Sequence, residues 1–185
     1  ASTGSLGHGL GIVAGMALAS NEKKYFYILL GDGELQEGSV WEAANTAAHY
    51  KLGNLCAIID VNRLGQSQPT IHGHLARRYR KKFAAFGWNS VAIDGHSISQ
   101  LLATLKMARK SEKPFAIICK TFKGKGVSFL EDYENWHGKV LNKDQVKKAL
   151  KEIGNPRVKL HSNVRHNTYS SKFVDCALNN YKIGE

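Results

Sequence analysis

Apolar residues in this chain fall into short blocks, separated by polar turns that carry glycine. Residues 25–30, 55–61, 90–93 and 115–119 are nearly continuous apolar runs of strand length, and they read as buried strands. Residues 5–20, 39–49, 75–86, the stretch from about 97 to 109, and 143–153 read as helices. Strands alternating with helices predict an α/β fold with a mostly parallel sheet and helices on both faces. No internal repeat is visible.

Three segments stand out from this pattern. Gly7, Gly11 and Gly15 recur every four residues in the first helix. Glycine is a poor helix former, so the repeat makes a smooth face, either for a neighbouring helix or subunit or for tight packing on the sheet. The helix 75–86 carries Arg77, Arg78, Arg80, Lys81 and Lys82, which read as a solvated face rather than an anion patch. From Gly154 onward Asn, Ser, His and Lys dominate without period, and residues 154–185 read as a linker.

With 185 residues the chain is long enough for one domain with a sizeable core. It begins with Ala1 inside a glycine-rich segment, so a fragment, a processed piece or a chain with earlier residues missing is expected. No apolar run is long enough to cross a bilayer, and no basic-then-apolar leader is visible. Three cysteines make no disulfide framework; Cys56, Cys119 and Cys176 are expected to be reduced packing groups in a cytoplasmic protein. The formal charge of +11 suits anionic ligands, or an acidic remainder elsewhere. No nucleic-acid motif accompanies it, so neither nucleic acid nor membrane is an expected partner.

The chemistry concentrates at Gly31-Asp32-Gly33-Glu34, which ends the first strand, and at Asn62, thirty residues after Asp32 at the end of the second. A βαβ unit sets successive parallel strands side by side, so both residues leave the same edge of the sheet. That edge is where open α/β sheets bind ligands. A carboxylate and an amide oxygen beside small glycines suit a hard cation such as Mg2+ and a diphosphate lying against backbone. Alone, Asp32 also reads as a turn or N-cap carboxylate. Gly4-Ser5-Leu6 opens the first helix, whose free N–H groups would favour an anion.

Four blocks in order narrow this reading. They are Gly31-Asp32-Gly33-Glu34-Leu35-Gln36-Glu37-Gly38-Ser39-Val40-Trp41-Glu42-Ala43, Asp60-Val61-Asn62-Arg63-Leu64-Gly65-Gln66-Ser67, Lys120-Thr121-Phe122-Lys123-Gly124-Lys125-Gly126, and Trp136-His137-Gly138-Lys139. From residue 2 to about 153 the chain resembles the diphosphate-binding domain of the transketolase family. The resemblance implies a thiamine-diphosphate-binding fold over 1–153, lacking its start, with 154–185 leading toward a pyrimidine-binding domain not present here.

It also implies roles. Asp32, Asn62 and the carbonyl of Leu64 would hold Mg2+ or Ca2+. Gly4, Ser5, Leu6, Gly33, Asn62, Lys123 and His137 would meet thiamine diphosphate, and His137 would also face the donor sugar as a catalytic group. Glu34 and Glu37 receive no acid–base role. Lys139 is a weaker candidate than Lys123, and His96 is expected to organise the helix start that follows it. His8 stands where many members have Gln, and a packed or hydrogen-bonded side chain is expected.

The reaction implied is transfer of a two-carbon ketol unit from a ketose phosphate to an aldose phosphate. The family's catalytic glutamate lies on the pyrimidine domain of another subunit, so this chain would be half a site in a homodimer and inactive alone. The alternatives are a deoxyxylulose-phosphate or dihydroxyacetone synthase, and a non-catalytic transketolase-like cofactor-binding protein.

Overall fold

The computed structural model describes residues 4–20 and 24–154. The chain divides into two units, Ala1–Ile153 and Gly154–Glu185. Apart from Gly154, the expected linker 154–185, Cys176 included, lies outside the described residues.

Four strands form one sheet: β1 (Phe26–Gly31), β2 (Leu55–Val61), β3 (Asn89–Asp94) and β4 (Phe115–Lys120), in the order β1-β2-β4-β3. Every pair in it is parallel. The helices are α1 (His8–Ala19), α2 (Gly38–His49), α3 (Ala76–Ala85), α4 (Ile98–Ala108) and α5 (Lys143–Ile153). This is the α/β architecture that the alternating pattern predicts.

Helices lie on both faces. On one, Leu10, Val13 and Ala17 of α1, Val40, Ala44 and Ala47 of α2, and Tyr79 and Phe83 of α3 pack with Leu30, Ile59 and Ile118 of the sheet. The aromatic rings of Trp41, Phe83, Phe86 and Trp88 interlock there, with centroids 5.2 to 5.4 Å apart. Both indole N–H groups are satisfied: Trp41 donates to the Leu35 carbonyl and Trp88 to that of Ala44. On the other face α4 packs on β3 and β4 through Leu101, Leu105 and Ala108.

The central strands fit their continuous apolar runs, since β2 and β4 are covered on both faces. The edge strands do not. Residues 25–30 read as a buried strand, yet Leu30 is its one fully buried side chain, and Leu29 is 68% exposed. Residues 90–93 of β3 are likewise at most half-buried. A run of apolar residues marks a strand; its place in the sheet decides which faces are covered.

The first helix begins later than its pattern suggests. Gly7, at φ +85°, turns the chain, and α1 starts at His8. A side chain at Gly7 would collide with Ser39 and Glu37. Gly11 and Gly15 are exposed and border a groove against α2, so they do not pack on the sheet. His8 borders the same groove and is exposed rather than packed.

Candidate functional site

The parallel pairing carries β1 and β2 to the same edge in register: Gly31 lies opposite Asp60, and the Asp32 N–H donates to the Asp60 carbonyl at 3.1 Å. Asp32 and Asn62 therefore leave adjacent strand ends side by side. They line one cavity of about 260 Å³ together with Gly4, Leu6, Gly31, Gly33, Leu64, Lys123 and His137. Eight of the nine residues singled out from the sequence meet there; Ser5 is exposed and does not line it.

Asp32 is 1% exposed. Its Oδ2 accepts from the Thr70 hydroxyl at 2.7 Å and from the Arg63 N–H at 3.0 Å, and its Oδ1 accepts from the Gly33 N–H at 3.1 Å. Burial pushes its pKa up from the usual carboxylate range; the Thr70 and Arg63 hydrogen bonds oppose the shift, and Asp60 adds to it. The Gly33 N–H thus serves the neighbouring carboxylate here.

Asn62 is held at both ends of its amide. Its Nδ2 donates to Asp60 Oδ2 at 2.9 Å, and its Oδ1 accepts from the Leu64 N–H at 3.1 Å. Asp60 Oδ1 in turn accepts from the Thr121 hydroxyl, just past the end of β4. The amide orientation follows from this network, with the oxygen turned away from Asp60. Leu64 sits in a tight loop, bridged to Pro69.

Lys123 and His137 come from the segment after β4. Lys123 Nζ and His137 Nδ1 lie 3.4 Å apart, and both are solvent-accessible. Lys139 instead stacks its ammonium over Trp136 at 4.8 Å and does not line the cavity. His96 is a correction. The start of α4 is capped by Ser97, whose Oγ accepts from the Gln100 N–H, while the His96 ring accepts the Phe122 N–H at 2.9 Å and stacks on Phe122. It braces the residue next to Lys123.

Other side chains shape the site through contacts that the sequence did not assign. Glu34 Oε1 accepts the Gly7 N–H at 2.9 Å, tying the start of α1 to the tip of β1. Thr70 reaches Asp32 across 38 positions and Arg63 reaches Asp132 across 69, contacts that no local pattern announces. Asp60, two positions before Asn62 on the same face of β2, is the one that strand periodicity could have found.

Two observations bear on a diphosphate with a divalent cation. A Cβ built on Gly4 or Gly31 would meet no protein atom within 4 Å, although both line the cavity, so room is kept against bare backbone. Among the described residues no three His, Cys, Asp or Glu side chains gather as a metal site. One carboxylate, one amide oxygen and one backbone carbonyl would leave a hard cation half its shell for phosphate oxygens and water, which suits Mg2+.

A parallel α/β sheet with a glycine-walled cavity at the carboxyl ends of neighbouring strands defines a cofactor-binding domain. Residues 1–177 match the family model described as transketolase, thiamine diphosphate binding domain. The chain belongs to that family. It is 50% identical to the human transketolase over 158 residues, covering 82% of this chain and 25% of that protein. It is 48% identical to mouse transketolase-like protein 2 over 170 residues, 88% of this chain and 26% of that protein. Among solved structures, transketolase from Campylobacter jejuni superposes with a TM-score of 0.74 at 32% identity, covering 86% of this chain and 27% of that one. The chain therefore spans about a quarter of the length of these relatives.

Proposed function

We propose that this chain supplies the diphosphate and metal half of a transketolase active site. The full reaction would move a two-carbon ketol unit from a ketose phosphate to an aldose phosphate. The observation that carries this reading is the meeting of Asp32, Asn62, Gly33 and Leu64 with Lys123 and His137 around one cavity.

In this reading Asp32 Oδ, Asn62 Oδ1 and the Leu64 carbonyl hold Mg2+, with Ca2+ as a looser substitute. The backbone at Gly4, Leu6 and Gly33 takes the diphosphate, with Ser5 beside it and the Lys123 ammonium adding charge from the far wall. When bound, thiamine diphosphate supplies a carbon nucleophile for cleaving and forming a bond next to a carbonyl. His137 faces the cavity from a solvent-accessible position, where it can hydrogen-bond a sugar hydroxyl or carry its proton near neutral pH. The pyrimidine-binding half would come from another subunit, in a homodimer.

Calorimetric titration of the 185-residue chain with thiamine diphosphate tests this directly. The reading expects binding that requires Mg2+ and is absent for thiamine without its diphosphate. Equal binding of both compounds, or measurable ketol transfer from xylulose 5-phosphate to ribose 5-phosphate by this chain alone, contradicts it.

A further inference from the structure

Arg63 lies between the two proposed side chain and backbone ligands Asn62 and Leu64, yet its own side chain leaves the tip. Its backbone N–H donates to Asp32 Oδ2 at 3.0 Å. Its guanidinium reaches the segment after β4, where Nε donates to Asp132 Oδ1 at 2.7 Å and the terminal Nη2 to the Asp132 carbonyl at 2.8 Å. Asp132 passes the contact on, because its N–H donates to the Lys123 carbonyl at 2.9 Å. Lys123 in turn meets His137.

Both partners adopt backbone conformations that L residues seldom take. Arg63 has φ 65° and Asp132 has φ 63°. The side chains are 29% and 32% exposed, and an ion pair that accessible contributes little to stability. What two left-handed residues and a forked contact do fix is geometry. One residue thus touches the buried carboxylate with its backbone and the basic segment with its side chain.

We propose that Arg63 and Asp132 are positioning residues that set the separation between the Asp32–Asn62 tip and the Lys123–His137 pair, so that a diphosphate is gripped from two sides. The proposal rests on the cofactor reading above. The latch touches neither cofactor nor substrate. It joins two cavity walls that come from β2 and from the segment following β4, 69 positions apart in the chain.

The test is calorimetry of thiamine diphosphate with Mg2+ binding to the full 185-residue chain, paired with the ring nitrogen shifts of His137, assigned with His137→Gln. Arg63→Met and Asp132→Gly, the latter removing the side-chain acceptor while tolerating φ 63°, should each weaken binding about 10-fold, in the range of residues that orient ligands from behind. The double variant should be no weaker than either single one, because the two act as a unit. Lys123→Met should weaken the wild type but have no further effect on Arg63→Met, and the His137 shift on saturation should be lost in both latch variants. A merely structural role would not produce that dependence on Lys123.

Wild-type binding that Asp32→Asn abolishes, with both latch variants within about 2-fold of wild type, or additive losses in the double variant, overturns the latch and leaves the cofactor reading standing. A wild-type chain that does not bind, or an Asp32→Asn variant that binds equally well, overturns the cofactor reading and the latch with it. If Arg63→Met does not fold, Asp132→Gly, which removes the side-chain acceptor and keeps a residue at ease at φ 63°, decides on the same affinity and His137 criteria.

Discussion

The two walls of the cavity are built in opposite ways. The Asp32–Asn62 wall grows out of adjacent parallel strands, and its carboxylate is buried and hydrogen-bonded on both oxygens. The Lys123–His137 wall is an irregular segment after β4, with its two basic groups in solvent. That segment, which buries Val127, is tied down largely by carboxylates. Glu131 accepts from the Gly126 N–H at 3.0 Å and from Lys125 at 2.8 Å, and Glu152 of α5 accepts from both the N–H and the hydroxyl of Ser128. The difference suggests a division of labour. In the proposed reading, anchoring groups sit where the sheet fixes them, and groups that would meet a changing substrate sit where the backbone can adjust.

If that division holds, the largest effect comes from the strand wall. Asp32→Ala should lower affinity for thiamine diphosphate with Mg2+ by on the order of 100-fold or more, read by calorimetry, because it removes a ligand rather than a support. Asp60→Ala should follow, at about 10- to 100-fold, because Asn62 then loses the partner that orients its amide. Lys123→Met should cost less than about 10-fold, since the attraction of an exposed ammonium is screened by water and salt. A reversed order, with Lys123 dominant, would break the comparison.

Acid should affect the two walls with opposite sign. Burial raises the pKa of Asp32, so the folded state binds its proton more readily than the unfolded chain does. Its share of folding stability therefore grows as pH falls through that raised value, while its capacity to hold a cation is lost over the same interval. Glu131 is lowered by the Gly126 N–H and Lys125, and Glu152 by the Ser128 N–H and hydroxyl. Their contributions are complete above the unfolded carboxylate value of 4.5 and are lost as pH falls through their depressed folded values. Carboxyl carbon shifts followed by NMR should show Asp32 titrating above the ordinary aspartate value of 3.8 and both glutamates below the ordinary glutamate value of 4.5. Asp32 titrating at or below 3.8 would remove the electrostatic part of the contrast.

The smallest effect concerns thiols beneath the strand wall. Burial pushes Cys56 up to about 12 and Cys119 up to about 11, so neither offers a thiolate near neutral pH. In a Cys176→Ser chain, a disulfide reagent should modify both thiols only as fast as the domain opens, with denaturant accelerating the reaction. Rapid labelling of the native chain would mean that the sheet under the tip is looser than its packing implies.

The same contrast governs what the sequence made legible. Strand ends are readable, since nearly continuous apolar runs mark β1 and β2 and parallel pairing forces Asp32 and Asn62 together. The helices emerged within a few residues of their patterns, α1 being shortened by the turn at Gly7. The ties that Arg63, Thr70 and Glu34 make were not readable, because each depends on how loops fold back over tens of positions. His96 shows the same limit. Its sequence neighbours suggested a helix start, whereas its ring spans 26 positions to the Phe122 N–H.

The central claim is that a divalent cation sits between the strand ends with a diphosphate over the glycine backbone. Its most direct test is a crystal structure of this chain with thiamine diphosphate and Mn2+, located by anomalous scattering. The account predicts one strong peak within about 2.0–2.2 Å, oxygen-ligand distance, of an Asp32 carboxylate oxygen, Asn62 Oδ1 and the Leu64 carbonyl, with the cofactor's diphosphate in the same cavity. A cofactor bound elsewhere, or a metal held away from Asp32 and Asn62, would contradict it.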